Sequence, residues 1–286
     1  MDIFDSFIEV PGGRVFARQW RYASGAVDVA PIVLLHDSLG CVDLWRDFPQ
    51  ALAAVTGRNV VAYDRLGFGR SSERRARPSI DFIDEEAQGC FPAIQQALGL
   101  GRFSVFGHSV GGAMALRIAA SQSEACQEVI SESAQAFVEP RTLAGIRSAK
   151  TRFQDPEQLE KLARWHGEKA HWVLDAWTEV WLSPQFSPWS LDRHLREVRC
   201  PALVIHGDSD EYGSEAFPRR IASHVAGPVQ LEILEHCGHV PHRERRDDVL
   251  RLTAAFLARG AQGEPEVALR AGSLASAVKA ATSETA

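Results

Sequence analysis

The sequence predicts an α/β fold: a doubly wound, mostly parallel sheet of about eight strands carrying an inserted helical cap. Three observations predict it. Short apolar runs alternate with helical patterns along most of the chain, the signature of a parallel sheet covered on both faces. One such run, Phe103 to Phe106, passes through Gly107-His108-Ser109-Val110-Gly111 directly into the small-residue helical run Ala113 to Ala120. Between about Phe137 and Val198 there is no strand signal, and helical spacing is carried by Leu143, Ile146, Leu159, Leu162, Trp177, Val180 and Trp181.

Taken in order, Phe7 to Val10 and Arg14 to Trp20 read as a hairpin around Pro11-Gly12-Gly13. The further strands are Ile32 to His36, Val60 to Asp64, Phe103 to Phe106, Glu128 to Ser131, Ala202 to His206 and Val229 to Leu234. Helices are expected over Asp47 to Val55, Ile80 to Leu98 with Ser79 as N-cap, Gly112 to Ser121, Glu215 to Val225 and Arg245 to Leu257. The domain organisation is then a core of residues 1–136 and 197–260, a helical cap over 137–196, and a tail over 261–286 poor in large apolar residues. Trp165, Trp172, Trp177, Trp181 and Trp189, five of the seven tryptophans, fall in the cap, so some of them are expected to wall an apolar pocket and others to hold the cap on the core.

At 286 residues, 45% hydrophobic and 24% charged, the chain can bury a substantial core. A net charge of −6 argues against a nucleic-acid partner. The start, Met1-Asp2-Ile3-Phe4-Asp5, has no basic then apolar leader pattern, and no stretch approaches a membrane span, so a cytoplasmic protein with no membrane partner is expected. Five cysteines without a Cys-x-x-Cys spacing suggest buried thiols rather than a disulfide framework. The composition is compatible with a homo-oligomer.

Gly-x-Ser-x-Gly between a buried strand and a small-residue helix is a nucleophile elbow, a sharp turn that projects a strained serine and needs glycines where a Cβ would collide. Three fixed positions alone would occur by chance roughly 0.1 times in such a chain, so the flanking strand and helix carry the assignment. Ser109 is therefore the expected nucleophile. A serine hydroxyl needs a histidine to take its proton and a carboxylate to orient that histidine. The strand Ala202 to His206 ends in Gly207-Asp208-Ser209-Asp210, and the strand Val229 to Leu234 leads to Gly238-His239. These supply Asp210, with Asp208 as near rival, and His239 as the base. Glu132, after the strand Glu128 to Ser131, is a second candidate for the acid. His236, Cys237, His239 and His242 lie close enough to suggest a metal cluster, but ligands crowded on one loop lack a fixed outer shell, so no metal site is expected. His36 and His206 read as structural histidines. Two N–H donors for an oxyanion are expected from Val110 and, in the loop His36-Asp37-Ser38-Leu39-Gly40, from Ser38.

From about residue 1 to 260 the chain resembles the α/β-hydrolase superfamily, through His36 to Gly40 with Trp45, Asp64-Arg65-Leu66-Gly67-Phe68-Gly69-Arg70-Ser71, the elbow, the Gly207 to Asp210 turn and Gly238-His239. The resemblance implies that Asp64 to Ser71 shapes the turn behind the oxyanion loop. It also places Asp37 where that superfamily usually has glycine; its carboxylate, which would oppose an oxyanion, is expected to point away. The function this implies is hydrolysis of carboxylic esters or related small acyl compounds through an acyl-enzyme on Ser109, with no cofactor and a small-molecule substrate. Cleavage of carbon-carbon bonds in vinylogous diketones remains an alternative, as does a thioesterase, for which the basic early cap (Arg141, Arg147, Lys150, Arg152, Lys161, Arg164) leaves room. A non-catalytic ligand receptor on the same fold is the reading from a different class.

Overall fold

The structure is a computed structural model that describes residues 1–22 and 29–260; the tail expected over 261–286 lies outside the described residues. Eight strands form one sheet: β1 (Asp2–Val10), β2 (Gly13–Arg21), β3 (Ile32–Leu35), β4 (Val60–Tyr63), β5 (Phe103–His108), β6 (Cys126–Glu132), β7 (Ala202–Gly207) and β8 (Val229–Leu234). Their spatial order is β1-β2-β4-β3-β5-β6-β7-β8. The hairpin β1–β2 and the pair β2–β4 are antiparallel, and every other pairing is parallel. Because side chains alternate across a strand, the two faces separate cleanly. Val33, Leu35, Val105, Val129 and Val204 join one apolar core, whereas Ile32, Leu34, Phe106, Ile130, Leu203 and Ile205 join the other.

The helices are α1 (Phe48–Thr56), α2 (Phe82–Glu85), α3 (Phe91–Ala97), α4 (Val110–Ser121), α5 (Pro140–Arg152), α6 (Pro156–His166), α7 (Ala170–Trp181), α8 (Asp192–Leu195), α9 (Ala216–His224), α10 (Pro241–Glu244) and α11 (Arg246–Gly260). Phe48 and Leu52 of α1 and Val249 and Leu250 of α11 cover one face. Phe91 and Ile94 of α3, the small residues of α4, and Phe217 and Ile221 of α9 cover the other. Between β6 and β7 the described chain is helical, in α5 to α8, apart from short turns and a single bridge, Phe137 with Ser190. This helical insertion packs Ile146, Val180 and Trp181 onto the second face.

The expected helix from Ile80 to Leu98 is instead broken. A π-helical turn, Glu86–Cys90, separates α2 from α3. Pro92 has no N–H to offer the carbonyl four residues earlier, and a wider turn accommodates the lost bond. Ser79 does not cap this helix: its hydroxyl accepts from Asp81 N–H (3.0 Å) and donates to Glu85, while the helix starts only at Phe82, with Asp81 in the N-cap position. All five cysteines are free. Cys90 is half-buried and the rest are buried; burial pushes the thiols of Cys41, Cys90 and Cys237 up to about 12. Among the described residues no helix is long and apolar enough to cross a membrane.

Candidate active site

The parallel strands deliver their C-terminal ends to one edge of the sheet, and the residues singled out above meet there. Ser109 follows β5 and precedes α4, with φ 56° and ψ −125°. A serine held in that sparsely populated region stores about 1–3 kcal/mol of strain. The turn closes because its glycines let backbone touch backbone. A Cβ on Gly107 would run into the Gly111 carbonyl, and one on Gly111 into the Leu35 carbonyl.

The Ser109 hydroxyl lies 3.0 Å from His239 Nε2, and His239 Nδ1 lies 2.8 Å from Asp210 Oδ2. Asp210 is fully buried and also accepts from Tyr212 N–H at 2.7 Å. Burial alone would raise its pKa, but the charge and hydrogen bond of His239, with His206 and the Tyr212 amide, leave it below the ordinary carboxylate value. Asp208, the rival, faces outward. It accepts from Ser209 and from Cys237 N–H, so it braces the backbone of the histidine loop. Glu132, the last residue of β6, does not meet His239; it accepts from His242 Nδ1 at 2.6 Å. His36 sits between one donor, Arg65 N–H (3.1 Å to Nε2), and one acceptor, the Asp37 carbonyl (2.8 Å from Nδ1). A neutral ring fits that environment, and burial holds its pKa well below the ordinary histidine value.

The loop 36–40 is fixed from several sides. Arg65 donates to the Asp37 carbonyl (2.7 Å), Leu39 N–H to Asp37 Oδ1 (2.8 Å), and the Asp64 carboxylate accepts from Val42 N–H (2.6 Å) and Arg70 N–H (2.7 Å). Burial pushes Asp64 up to about 6 despite those two amides. From the insertion, His166 donates through Nε2 to the Leu39 carbonyl (2.9 Å) and accepts at Nδ1 from Gly69 N–H (2.9 Å), and Lys169 donates to the Gly69 (2.7 Å) and Ser71 carbonyls. Among the described residues, neither Ser38 N–H nor Val110 N–H donates to another protein group. At Val110 this is the orphan donor of a helix's first turn.

A cavity of about 150 Å³ opens on Ser109 and His239. Ser38 and Leu39 form one side; Ile146, Trp177 and Trp181 from the insertion, with Tyr212, form the apolar remainder. Of the five tryptophans in that segment, only these two line it. Trp172 packs against Phe68, Trp189 stacks on Phe186 at 5.2 Å, and Trp165 is exposed. Gln135, which no sequence pattern marks, also lines the cavity: its Nε2 is 3.4 Å from Ser109 Oγ and its buried Oε1 has no partner. The Asp37 carboxylate turns toward His108, 3.4 Å from Nδ1, while the residue itself remains part of the cavity lining. A larger cavity of about 720 Å³, between the β1–β2 turn, Arg65 to Phe68 and the Glu86–Cys90 turn, contains none of Ser109, Asp210 or His239. Two of its acids are already engaged there, Glu85 by Arg74 and Glu86 by Tyr63.

His108, Glu132 and His242 are the one group of buried side chains among the described residues with ligand-like spacing. His242 Nδ1 bonds one Glu132 oxygen, and the two His108 nitrogens face the His239 carbonyl and Asp37. No sequence pattern joins them, since Glu132 and His242 are 110 residues apart.

Residues 32–252 match the model of the Alpha/beta hydrolase family. The chain belongs to that family. As an alpha/beta hydrolase it is 21% identical over 276 residues to a proline iminopeptidase of Lactobacillus crispatus, spanning 83% of this chain and 93% of the relative. It is 25% identical over 252 residues to a 2-hydroxy-6-oxo-2,4-heptadienoate hydrolase of Pseudomonas putida, spanning 80% and 89%. Its fold superposes on the crystal structure of the enol-lactonase from Burkholderia xenovorans with a TM-score of 0.67, at 21% identity over 88% of this alpha/beta hydrolase and all of that chain.

Proposed function

We propose that this hydrolase cleaves carboxylic esters or related small acyl compounds through an acyl-enzyme on Ser109. The observation that carries the reading is the unbroken relay from Asp210 through His239 to Ser109, ending at a cavity lined by Ser38 and Ser109, with the N–H groups of Ser38 and of Val110, the residue after the serine, uncommitted. His239 Nε2 takes the serine proton as Oγ attacks the acyl carbon. Asp210 keeps the ring in the tautomer with hydrogen on Nδ1 and balances the imidazolium that forms. Ser38 and Val110 N–H receive the oxyanion. His239 then returns the proton to the leaving alcohol, and water repeats the sequence to free the acid.

The cavity is smaller than the roughly 300–1,000 Å³ of pockets for drug-sized ligands, and its walls are aromatic and aliphatic, so a short apolar acyl group fits best. Residues 137–196 act as the cap that supplies those walls. A second reading, carbon-carbon bond hydrolysis of a vinylogous diketone, draws on the heptadienoate hydrolase relative and on the Ser38 side chain at the cavity.

The test is a panel of p-nitrophenyl esters of graded acyl length, run beside a thioester, an N-terminal proline anilide and a ring-cleavage dienoate. Short-chain esters are expected to turn over fastest, and Ser109→Ala to abolish turnover. Preferred cleavage of the dienoate would support the second reading; turnover unchanged in Ser109→Ala would remove both.

A further inference from the structure

The mechanism above leaves one buried titratable residue unused although it adjoins the nucleophile. His108 is the last residue of β5, 1% exposed, and its two ring nitrogens face two groups that can only accept. Nε2 is 2.8 Å from the His239 backbone carbonyl, and Nδ1 is 3.4 Å from Asp37 Oδ2. A neutral imidazole carries a single N–H and would set a lone pair against one of these oxygens. His36 and His166 show the contrast, since each lies between one donor and one acceptor.

We propose that His108 is a fixed imidazolium and a positioning residue, pairing with Asp37 on the oxyanion loop while holding the carbonyl of His239. The inference rests on the Ser109 reading and deepens it. Asp37 lines the cavity beside Ser38, where negative charge develops on the acyl oxygen, and an uncompensated carboxylate there would oppose that charge. His108 compensates it from below. The same ring anchors the loop that carries the base, so one side chain sets both the oxyanion side and the proton-transfer side of the site.

The surroundings agree from every element packed on the ring. Asp37 comes from the loop after β3, Glu132 from β6, His239 from the loop after β8, and His242 from α10, whose ring lies 4.8 Å away edge to face. His242 points Nδ1 at Glu132, which spends its own hydrogen on that acid and leaves the second Glu132 oxygen without a partner. Burial alone would lower the pKa of His108, but the Asp37 carboxylate, the Glu132 charge and the His239 carbonyl outweigh it and raise the value above that of an ordinary histidine. Below its ordinary value the ring is charged in any state; as pH climbs through the raised one, the compensation of Asp37 is lost.

Two measurements on the full chain decide this. Nitrogen-15 NMR of the ring, assigned by its loss in His108→Gln, is expected to show hydrogen on both nitrogens near pH 7; an unprotonated nitrogen there overturns the proposal. The second measurement is the rate at which a fluorophosphonate labels Ser109. His108→Gln is expected to slow labelling about 100-fold, the scale of losing an oxyanion donor, and adding Asp37→Asn is expected to recover about tenfold or more. A packing defect would not be repaired by neutralising Asp37. Equal rates in the wild type and His108→Gln, or a double variant no faster than the single one, count against His108. Wild-type protein that never labels at Ser109 counts instead against the hydrolase reading, and the ring measurement stands apart from it.

Discussion

Asp210 and Glu132 are two buried carboxylates at the ends of neighbouring strands, each holding a histidine: Asp210 holds His239 and Glu132 holds His242. Asp210→Asn is expected to cut turnover by about 10⁴-fold, because an amide oxygen cannot balance the imidazolium and its NH₂ favours the wrong tautomer of His239. Glu132→Gln is expected to cost mainly stability, about 1–3 kcal/mol from the weakened bond to buried His242, read by urea denaturation. A reversed pattern of rates would move the acid role to Glu132. Residues at this scale were legible where a local pattern announces them: Ser109 in its glycine turn, Asp210 and His239 in glycine turns that end strands. His108 lies within the elbow motif, yet a residue type next to Ser109 says nothing about what its ring will face. Gln135 and the Glu132–His242 pair arise from contacts between distant segments, which leave no periodic trace.

The elbow is the element on which the site is built, and its constraint is steric. Gly111→Ala puts a methyl group into the Leu35 carbonyl of the neighbouring strand, so β3 and β5 cannot keep their register with α4. The expected result is a loss of about 3 kcal/mol or more, or failure to fold, measured by thermal and denaturant unfolding. Gly57→Ala meets open space, and its cost should come only from the left-handed backbone at φ 66°. The inner strands were readable to within two residues at each end because buried parallel strands are continuous apolar runs bounded by turns. β1 was not: it begins at Asp2 rather than Phe7, and most of its residues are exposed, including Ile3, Phe4 and Phe7, so burial does not impose the usual alternation. Arginines cover two of those rings, Arg21 over Phe4 and Arg14 over Phe7. The break at Glu86–Cys90 was hidden for another reason. Pro92 signals a lost hydrogen bond but not whether the helix ends, kinks or widens.

For the molecule as a whole, charge burial sets the response to acid. His36, His166, His194, His206 and His242 all have lowered pKa values, in each case chiefly through burial. For these groups the unfolded chain binds protons near pH 6.5 that the folded chain refuses, so their contribution is complete above that value and is lost as pH falls. Each refused proton costs about 1.4 kcal/mol per pH unit. Asp64 works the other way, since its raised value of about 6 lets the folded state take up a proton before the unfolded one, and it offsets about one histidine below pH 6. His108, raised, adds stability that fades only on the alkaline side. Urea midpoints are therefore expected to fall from pH 7.5 to pH 5.5, and a flat profile would contradict the buried neutral histidines. The insertion also bears on what can be re-engineered. His166 and Lys169 reach from it to the Leu39 and Gly69 backbone, so chimaeras that exchange this segment to alter selectivity are expected to lose rate as well, unless the replacement brings equivalent anchors for those two turns.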